Sequence, residues 1–331
     1  MKIKRRRSSI MDITSDALPS SSHFHLKQLA DGVYAAMSRE GSGSMSNAGI
    51  VDLGDRTLVF DTFLSPTAAQ DLRNAAEQLT GRPVSYVVNS HHDVDHIYGN
   101  QVFPPATTII ATTQTRDLIA TRGAEFLAWA QENLAEDLRT EEKRIKELTD
   151  LSQREEAALV LASNHVLLSS LPAITLRVPN LTFEHKLILH GSRRSVELLC
   201  YGGGHTPSDS FLYLPKERIA FMGDLLFVGM HASIWQDNPQ SWIDILARAE
   251  ALAVQVAVPG HGTLGTGEHV TIFRDYLCSV QEIALAVHRR GGSEDEAAQE
   301  AIPACYASWK GAALFAELMR SCYRACAKST V

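Results

Sequence analysis

Val84-Ser85-Tyr86-Val87-Val88 runs directly into Asn89-Ser90-His91-His92-Asp93-Val94-Asp95-His96. The first five residues read as a short apolar strand, and the six from His91 to His96 hold carboxylates at their third and fifth positions and imidazoles at both ends. Burying that many ionisable groups together is costly unless they are paired or coordinate a metal, and a surface loop has no reason to gather them. The carboxyl end of a strand is also where sheets flanked by helices place their chemistry.

Outward from this cluster, three later stretches follow strand-like runs, and each offers one further candidate ligand. They are Gly204-His205-Thr206-Pro207, Gly223-Asp224 and Pro259-Gly260-His261-Gly262. Upstream, Leu26 to Met37 reads as strands and Gly41-Ser42-Gly43-Ser44 as a turn-rich link. Ala48 to Leu53 and Thr57 to Phe60 read as a hairpin around Gly54-Asp55. Asp61 closes the second of these strands. Pro66 opens an amphipathic helix with Ala69, Leu72, Ala76 and Leu79 on one face, and Gly81 ends it. From about residue 115 to 170 the pattern turns helical and charged, which predicts an insertion of roughly three helices. Strands resume at Leu181 to Leu189, Val196 to Tyr201, Phe211 to Leu214, Ile219 to Met222 and Val254 to Val258. A helix from Pro239 precedes the last strand, and a helical region from about 268 to 326 follows it. This order predicts an α+β fold of two sheets between helical layers. It is read as one domain, residues 23–331, behind a basic and polar tail, residues 1–22.

The chain has 331 residues, 45% hydrophobic and 21% charged, with a formal net charge of −7, the composition of a soluble globular protein. The acidic balance speaks against a nucleic-acid partner. Lys2, Lys4, Arg5, Arg6 and Arg7 run the other way, but the apolar run a signal peptide needs is broken at Ile10-Met11-Asp12-Ile13. No stretch approaches the roughly 18 apolar residues of a membrane span. The expectation is a cytoplasmic protein that acts on a small molecule, with no membrane or nucleic-acid partner and with homodimer formation left open. Five cysteines without a Cys-x-x-Cys spacing argue against a disulfide framework.

Taken in order, Asp61, the His91 to His96 cluster, His205, Asp224 and His261 resemble the signatures of the metallo-β-lactamase superfamily, from about Leu26 to Gly262. The resemblance implies a four-layer αββα sandwich and a centre for two divalent ions. His91, Asp93 and His205 would hold one ion, Asp95, His96 and His261 the other, and Asp224 would bridge them. One departure matters: the family's His-X-His-X-Asp-His is His-X-Asp-X-Asp-His here. His92 is one residue out of phase and is expected to point away from the ions. With Asp93 the carboxylates and one hydroxide balance two divalent charges. Zinc is the first choice of metal, and the oxygen-rich first site admits manganese or iron.

The implied chemistry is hydrolysis, in which hydroxide held between the cations attacks an ester, lactone, thioester or amide bond. Asp95 is expected both to ligate and to orient the nucleophile, then to pass a proton to the leaving group. Two alternatives are a dinuclear iron or manganese redox enzyme, favoured by Asp93, and a metal-binding regulator without turnover. Asp61 is expected to fix a ligand loop from behind, and Asp209 to brace the Thr206-Pro207 turn. Tyr98 and His231 are candidates for the substrate side, with packing as the competing role. The helical insertion lies between two ligand-bearing loops and is the expected determinant of substrate choice.

Overall fold

Side chains on a strand alternate between its two faces, and most strands of this chain are apolar on both. The computed structural model describes residues 18–236 and 238–328. Among these residues one sheet contains, in chain order, β1 (Phe24–Ala30), β2 (Val33–Ser38), β3 (Ala48–Asp52), β4 (Thr57–Phe60), β5 (Val84–Val88), β6 (Thr108–Thr112) and β7 (Leu181–Phe183). The strands β1 to β4 pair antiparallel, and β4 to β7 pair parallel. The second sheet has the order β12-β11-β10-β9-β8. Its strands are β8 (Lys186–His190), β9 (Ser195–Gly202), β10 (Asp209–Leu214), β11 (Ile219–Val228) and β12 (Val256–Gly262), with β11 and β12 parallel.

The helices are α1 (Pro66–Thr80), α2 (Val94–Ile97), α3 (Thr113–Leu118), α4 (Ala124–Glu147), α5 (Leu151–Ser170), α6 (Pro239–Glu250), α7 (Gly267–Arg289), α8 (Glu294–Ala298) and α9 (Ala312–Lys328). Alternation along the strands assigns them to layers. Leu58, Phe60, Leu212, Leu214 and Phe221 meet between the sheets. Their neighbour Val59 packs outward on Ala68, Leu72 and Ala76 of α1. Phe211, Tyr213 and Met222 pack outward on Trp242, Phe273 and Leu318 of α6, α7 and α9. The result is the expected αββα sandwich. Each large apolar side chain buried in it contributes about 1.5–3 kcal/mol, a reserve against the charged centre described below. The limits of α1 follow its sequence: the Ser65 hydroxyl accepts from the Ala68 amide, Pro66 opens the first turn, and Gly81 ends it at φ 69°.

The insertion begins at α3, passes through a π-helical turn (Ile119–Gly123) into α4, and returns along α5. Leu134, Leu138 and Leu167 pack with Leu64, Ile97 and Tyr98, so its apolar face closes on the elements around the His91 cluster. Three features differ from the sequence reading. The expected single strand Leu181 to Leu189 is divided, because the chain crosses at Glu184-His185 from the first sheet to the second. A two-residue period names the faces of a strand but not its sheet. The second difference is at the N-terminus: Leu18 packs on the α1 layer and the Ser21 hydroxyl donates to Asp71 on α1 at 2.7 Å, so the expected tail is anchored from there. The basic cluster Lys2 to Arg7 lies outside the described residues. Thirdly, the last expected strand starts at Val256, and the helical region beyond it is broken between α7 and α8 and again before α9. No helix among the described residues is long and apolar enough to cross a membrane.

Gly99 marks a tight crossing behind the His91 cluster. A Cβ there would lie 1.9 Å from the Thr62 carbonyl oxygen and 2.3 Å from the Ala69 Cβ. Gly99→Ala is therefore expected to cost about 1–3 kcal/mol of folding stability, read as a lower midpoint in urea; an unchanged midpoint would contradict this packing.

Candidate metal centre

β5 delivers the chain to Asn89, whose side chain anchors the loop that follows. Its amide donates to the His96 carbonyl at 3.2 Å and to Asn100 Oδ1 at 3.0 Å, and Asn100 donates back at 2.9 Å. Asp61, at φ 58° just beyond β4, accepts from the Ser90 amide, the Ser90 hydroxyl and His96 Nδ1, each at 2.8 Å. The Ser90 hydroxyl, having given its proton to Asp61, accepts from His91 Nδ1 at 2.8 Å. One buried carboxylate thus fixes the Nδ1 side of two imidazoles and turns each Nε2 towards Asp224. His205 is oriented likewise, donating from Nδ1 to the Ser233 carbonyl at 2.9 Å.

The expected ligands converge. His91, Asp93, His205 and Asp224 form one group and Asp95, His96 and His261 another, with the ligand atoms of each within 4.8 Å of one another. Asp224 lies between the groups. Its Oδ1 is 3.2 Å from His96 Nε2, and its Oδ2 is 3.4 Å from both His205 and His261 and 3.9 Å from His91. Gly260 makes this possible, since a Cβ on it would sit 1.8 Å from Asp224 Oδ1. Two buried residues of the glycine and serine-rich region tie ligand loops together. The Ser46 hydroxyl donates to the Asp95 carbonyl, and the Asn47 amide group donates to the Pro259 and Gly262 carbonyls on either side of His261.

Charge in this space is mutual. Burial opposes ionisation of Asp93, Asp95, His96, His205, Asp224 and His261. Even so, Asp93 and Asp224 raise His205 to about 9, Asp224 and Asp95 raise His261 to about 10, and His96 is raised well above its usual value. In return Asp93 and Asp224 are held well below the usual carboxylate range, chiefly by His205 and His91 for the first and by His261 and His96 for the second. The residues fit divalent ions by an independent sign: His91 Nε2, His96 Nε2 and Asp224 Oδ1 are buried without a hydrogen-bond partner, all at the junction of the two groups. Unsatisfied buried polar atoms are costly, and cations held by the two groups would satisfy all three.

The remaining candidates divide. Asp61 lies behind the ligand loop, bonded to Ser90 and His96, and Asp209 accepts from the Gly204 and Thr206 amides and the Thr206 hydroxyl. His92 joins neither group. It is buried, its Nδ1 is 3.8 Å from Asp93 Oδ1 without a hydrogen bond, and burial pushes it down to about 4 despite Asp93. Tyr98 is buried among Leu64, Ile97 and the insertion helices, a packing position. His231 is fully buried beside Tyr276, Trp309 and Phe315, shares a hydrogen bond with the Tyr276 hydroxyl at 2.9 Å, and is pushed down to about 4 by burial. It belongs to the C-terminal helical layer and not to the substrate side. The sequence reading did not single out Ser46, Asn47, Ser90, Asn100 or Trp235, whose indole N–H donates to Asp93 Oδ2 at 2.8 Å. Each is a polar or aromatic residue with at least one partner far away in the chain.

Comparison with known proteins agrees with this geometry. The family model of the metallo-β-lactamase superfamily matches residues 41–261, more than half of the chain, and the chain belongs to that superfamily. A curated relative, the 2,4-dinitroanisole O-demethylase subunit alpha of Nocardioides sp. (strain JS1661), is 24% identical over 241 residues, 70% of this chain; the chain spans about half of that relative, 54%. Among solved structures, the metallo-β-lactamase from Pontibacter korlensis superposes with a TM-score of 0.54 at 17% identity, covering 77% of this chain and 99% of its own. The stereoselective inverting sec-alkylsulfatase from Pseudomonas sp. superposes at 0.64 and 16% identity, covering 91% of this chain and 50% of its own. These likenesses show a shared fold.

A protonated imidazole cannot ligate, so below about pH 9 a cation must displace protons from His205 and His261, and raising the pH removes that competition. Between pH 6 and 8.5 the apparent zinc affinity, read by chelator competition, is expected to rise about tenfold per pH unit for each displaced proton. An affinity that does not change with pH would contradict this charge arrangement.

Proposed function

We propose that the chain is a dinuclear metal-dependent hydrolase that cleaves an ester, lactone, thioester or amide bond of a small molecule. The observation that carries this reading is the meeting of His91, Asp93 and His205 with Asp95, His96 and His261 on the two sides of Asp224. Divalent cations bound there would lower the pKa of a water towards neutrality and polarise the bond under attack. Zinc is the first choice, and Asp93, a third carboxylate in the set, admits manganese or iron.

The chain's own residues supply the rest. Asp95 Oδ2 lies 3.2 Å from His261 Nε2 and 3.5 Å from His96 Nε2. Burial opposes its charge, but His96 and His261 outweigh burial and hold its carboxyl below the usual range. It is thereby ionised at neutral pH, able to accept a proton from the attacking water and return it to the leaving group. Asp61 and Ser90 keep His91 and His96 from rotating, and Ser233 does the same for His205. Orientation of this kind keeps the ligand field constant while the substrate changes.

Asp93 also supports a second reading, a dinuclear iron or manganese redox centre, because carboxylate ligands favour those metals. Elemental analysis of protein purified without added metal, paired with a substrate panel, separates the two. The panel would hold acyl esters, lactones, thioesters and β-lactams, together with a secondary alkyl sulfate and an aryl methyl ether in view of the names of two relatives. Hydrolytic turnover with about two ions per chain supports the proposal; oxygen consumption and a charge-transfer band in iron-loaded protein would replace it. Asp95→Ala is expected to lower turnover by about 100-fold or more with an unchanged circular-dichroism spectrum, and full activity in that variant would overturn its assigned role.

A further inference from the structure

We propose that Trp235 is the positioning residue for the carboxylate at position 93, and that indole and carboxylate are a chemically matched pair. The inference rests on the metal-centre reading above and adds to it a reason why this chain can use aspartate where its family uses histidine.

Asp93 occupies the position before α2 at which an aspartate ordinarily turns back to accept from the helix's first amides. It makes no such bond. Its Oδ2 faces away, towards His205 Nε2 at 3.1 Å and Trp235 Nε1 at 2.8 Å. An indole N–H can only donate, so it requires an acceptor. A carboxylate has lone pairs enough to accept from the indole and to ligate a cation at once. An imidazole at position 93 with one nitrogen on a cation would offer the indole only C–H or N–H groups, a donor against a donor. The indole and the usual histidine are therefore mismatched, whereas indole and aspartate fit.

Trp235 is itself held in place by the ligand it adjoins. Its backbone amide donates to the His205 carbonyl at 2.8 Å, Ser233 two residues earlier accepts from His205 Nδ1, and the Gln236 side chain donates to the Gly204 and Thr206 carbonyls. One loop thus orients both His205 and Asp93, two members of the first ligand group. Packing does not account for the tryptophan, because its surface is 58% exposed. The polar end of the ring is what the site uses.

The test is a zinc titration of the full chain against a competing chelator, which resolves one binding step for each cation. Trp235→Phe keeps the ring and removes the N–H. It is expected to weaken one step by about 10–100-fold and to leave the other unchanged, which also reports that the fold is intact. Combined with Asp93→His, Trp235→Phe is expected to leave that step unchanged or strengthen it, because the donor conflict is relieved. If Trp235→Phe moves neither step, moves both equally, or weakens binding as much beside His as beside Asp at position 93, the pairing is overturned. A wild-type chain that takes up no cation at all overturns the metal centre itself, and the pairing with it.

Discussion

Asp224 sets the conditions for the rest of the molecule. Its carboxylate is almost wholly buried, with imidazole nitrogens of His91, His96, His205 and His261 at 3.2 to 3.9 Å. An ion taken out of water costs several kcal/mol even in a real protein interior. The position is tolerable only where positive charge, on imidazolium or metal, meets it from both sides. That requirement explains the Gly260 contact and the break in the β11–β12 register at Gly223, next to Asp224. A side chain larger than hydrogen at 260 would occupy the place of the carboxylate.

The two-sheet architecture answers the same requirement. The first sheet brings His91, Asp93, Asp95 and His96 from the end of β5, and the second brings His205, Asp224 and His261 from the loop after β9 and from β11 and β12. Neither sheet alone has a complete ligand group. The segment from Ser44 to Asn47 joins β2 to β3 within the first sheet and ties it to the second, with Ser46 bound to the Asp95 backbone and Asn47 bound on both sides of His261. The stretch that follows the glycine and serine-rich turn residues is in the fold a clamp, since small hydroxyl and amide side chains can reach buried carbonyls that bulkier ones would displace.

In this member of the metallo-β-lactamase superfamily, a carboxylate stands at position 93 and the loop from Ser233 to Gln236 meets it. A third aspartate would lower the net charge of a centre holding two cations and make its first site harder, in the sense of preferring oxygen-loving ions. It also makes the orientation of that aspartate a matter of hydrogen bonding and not of ring geometry. A carboxylate rotates more freely than an imidazole locked through its second nitrogen. A donor such as Trp235 Nε1 restores the constraint.

Much of this was legible in the chain itself. Residues 91 to 96 point to a candidate metal site because so many ionisable groups are costly to gather unless paired or coordinated. The near-continuous apolar runs of β4, β10 and β11 declare strands buried on both faces. Pro66 and Gly81 bound α1 through backbone chemistry that is local by nature. The division of Leu181 to Leu189 between two sheets, the removal of His231 to the helical layer, and the partnership of Trp235 with Asp93 across 142 positions were not legible. Sequence determines which groups must be buried or paired, since period and composition act over a few residues. Which distant group completes each pair was decided only when the sheets packed, because a hydrogen bond depends on distances of about 3 Å that no spacing along the chain encodes.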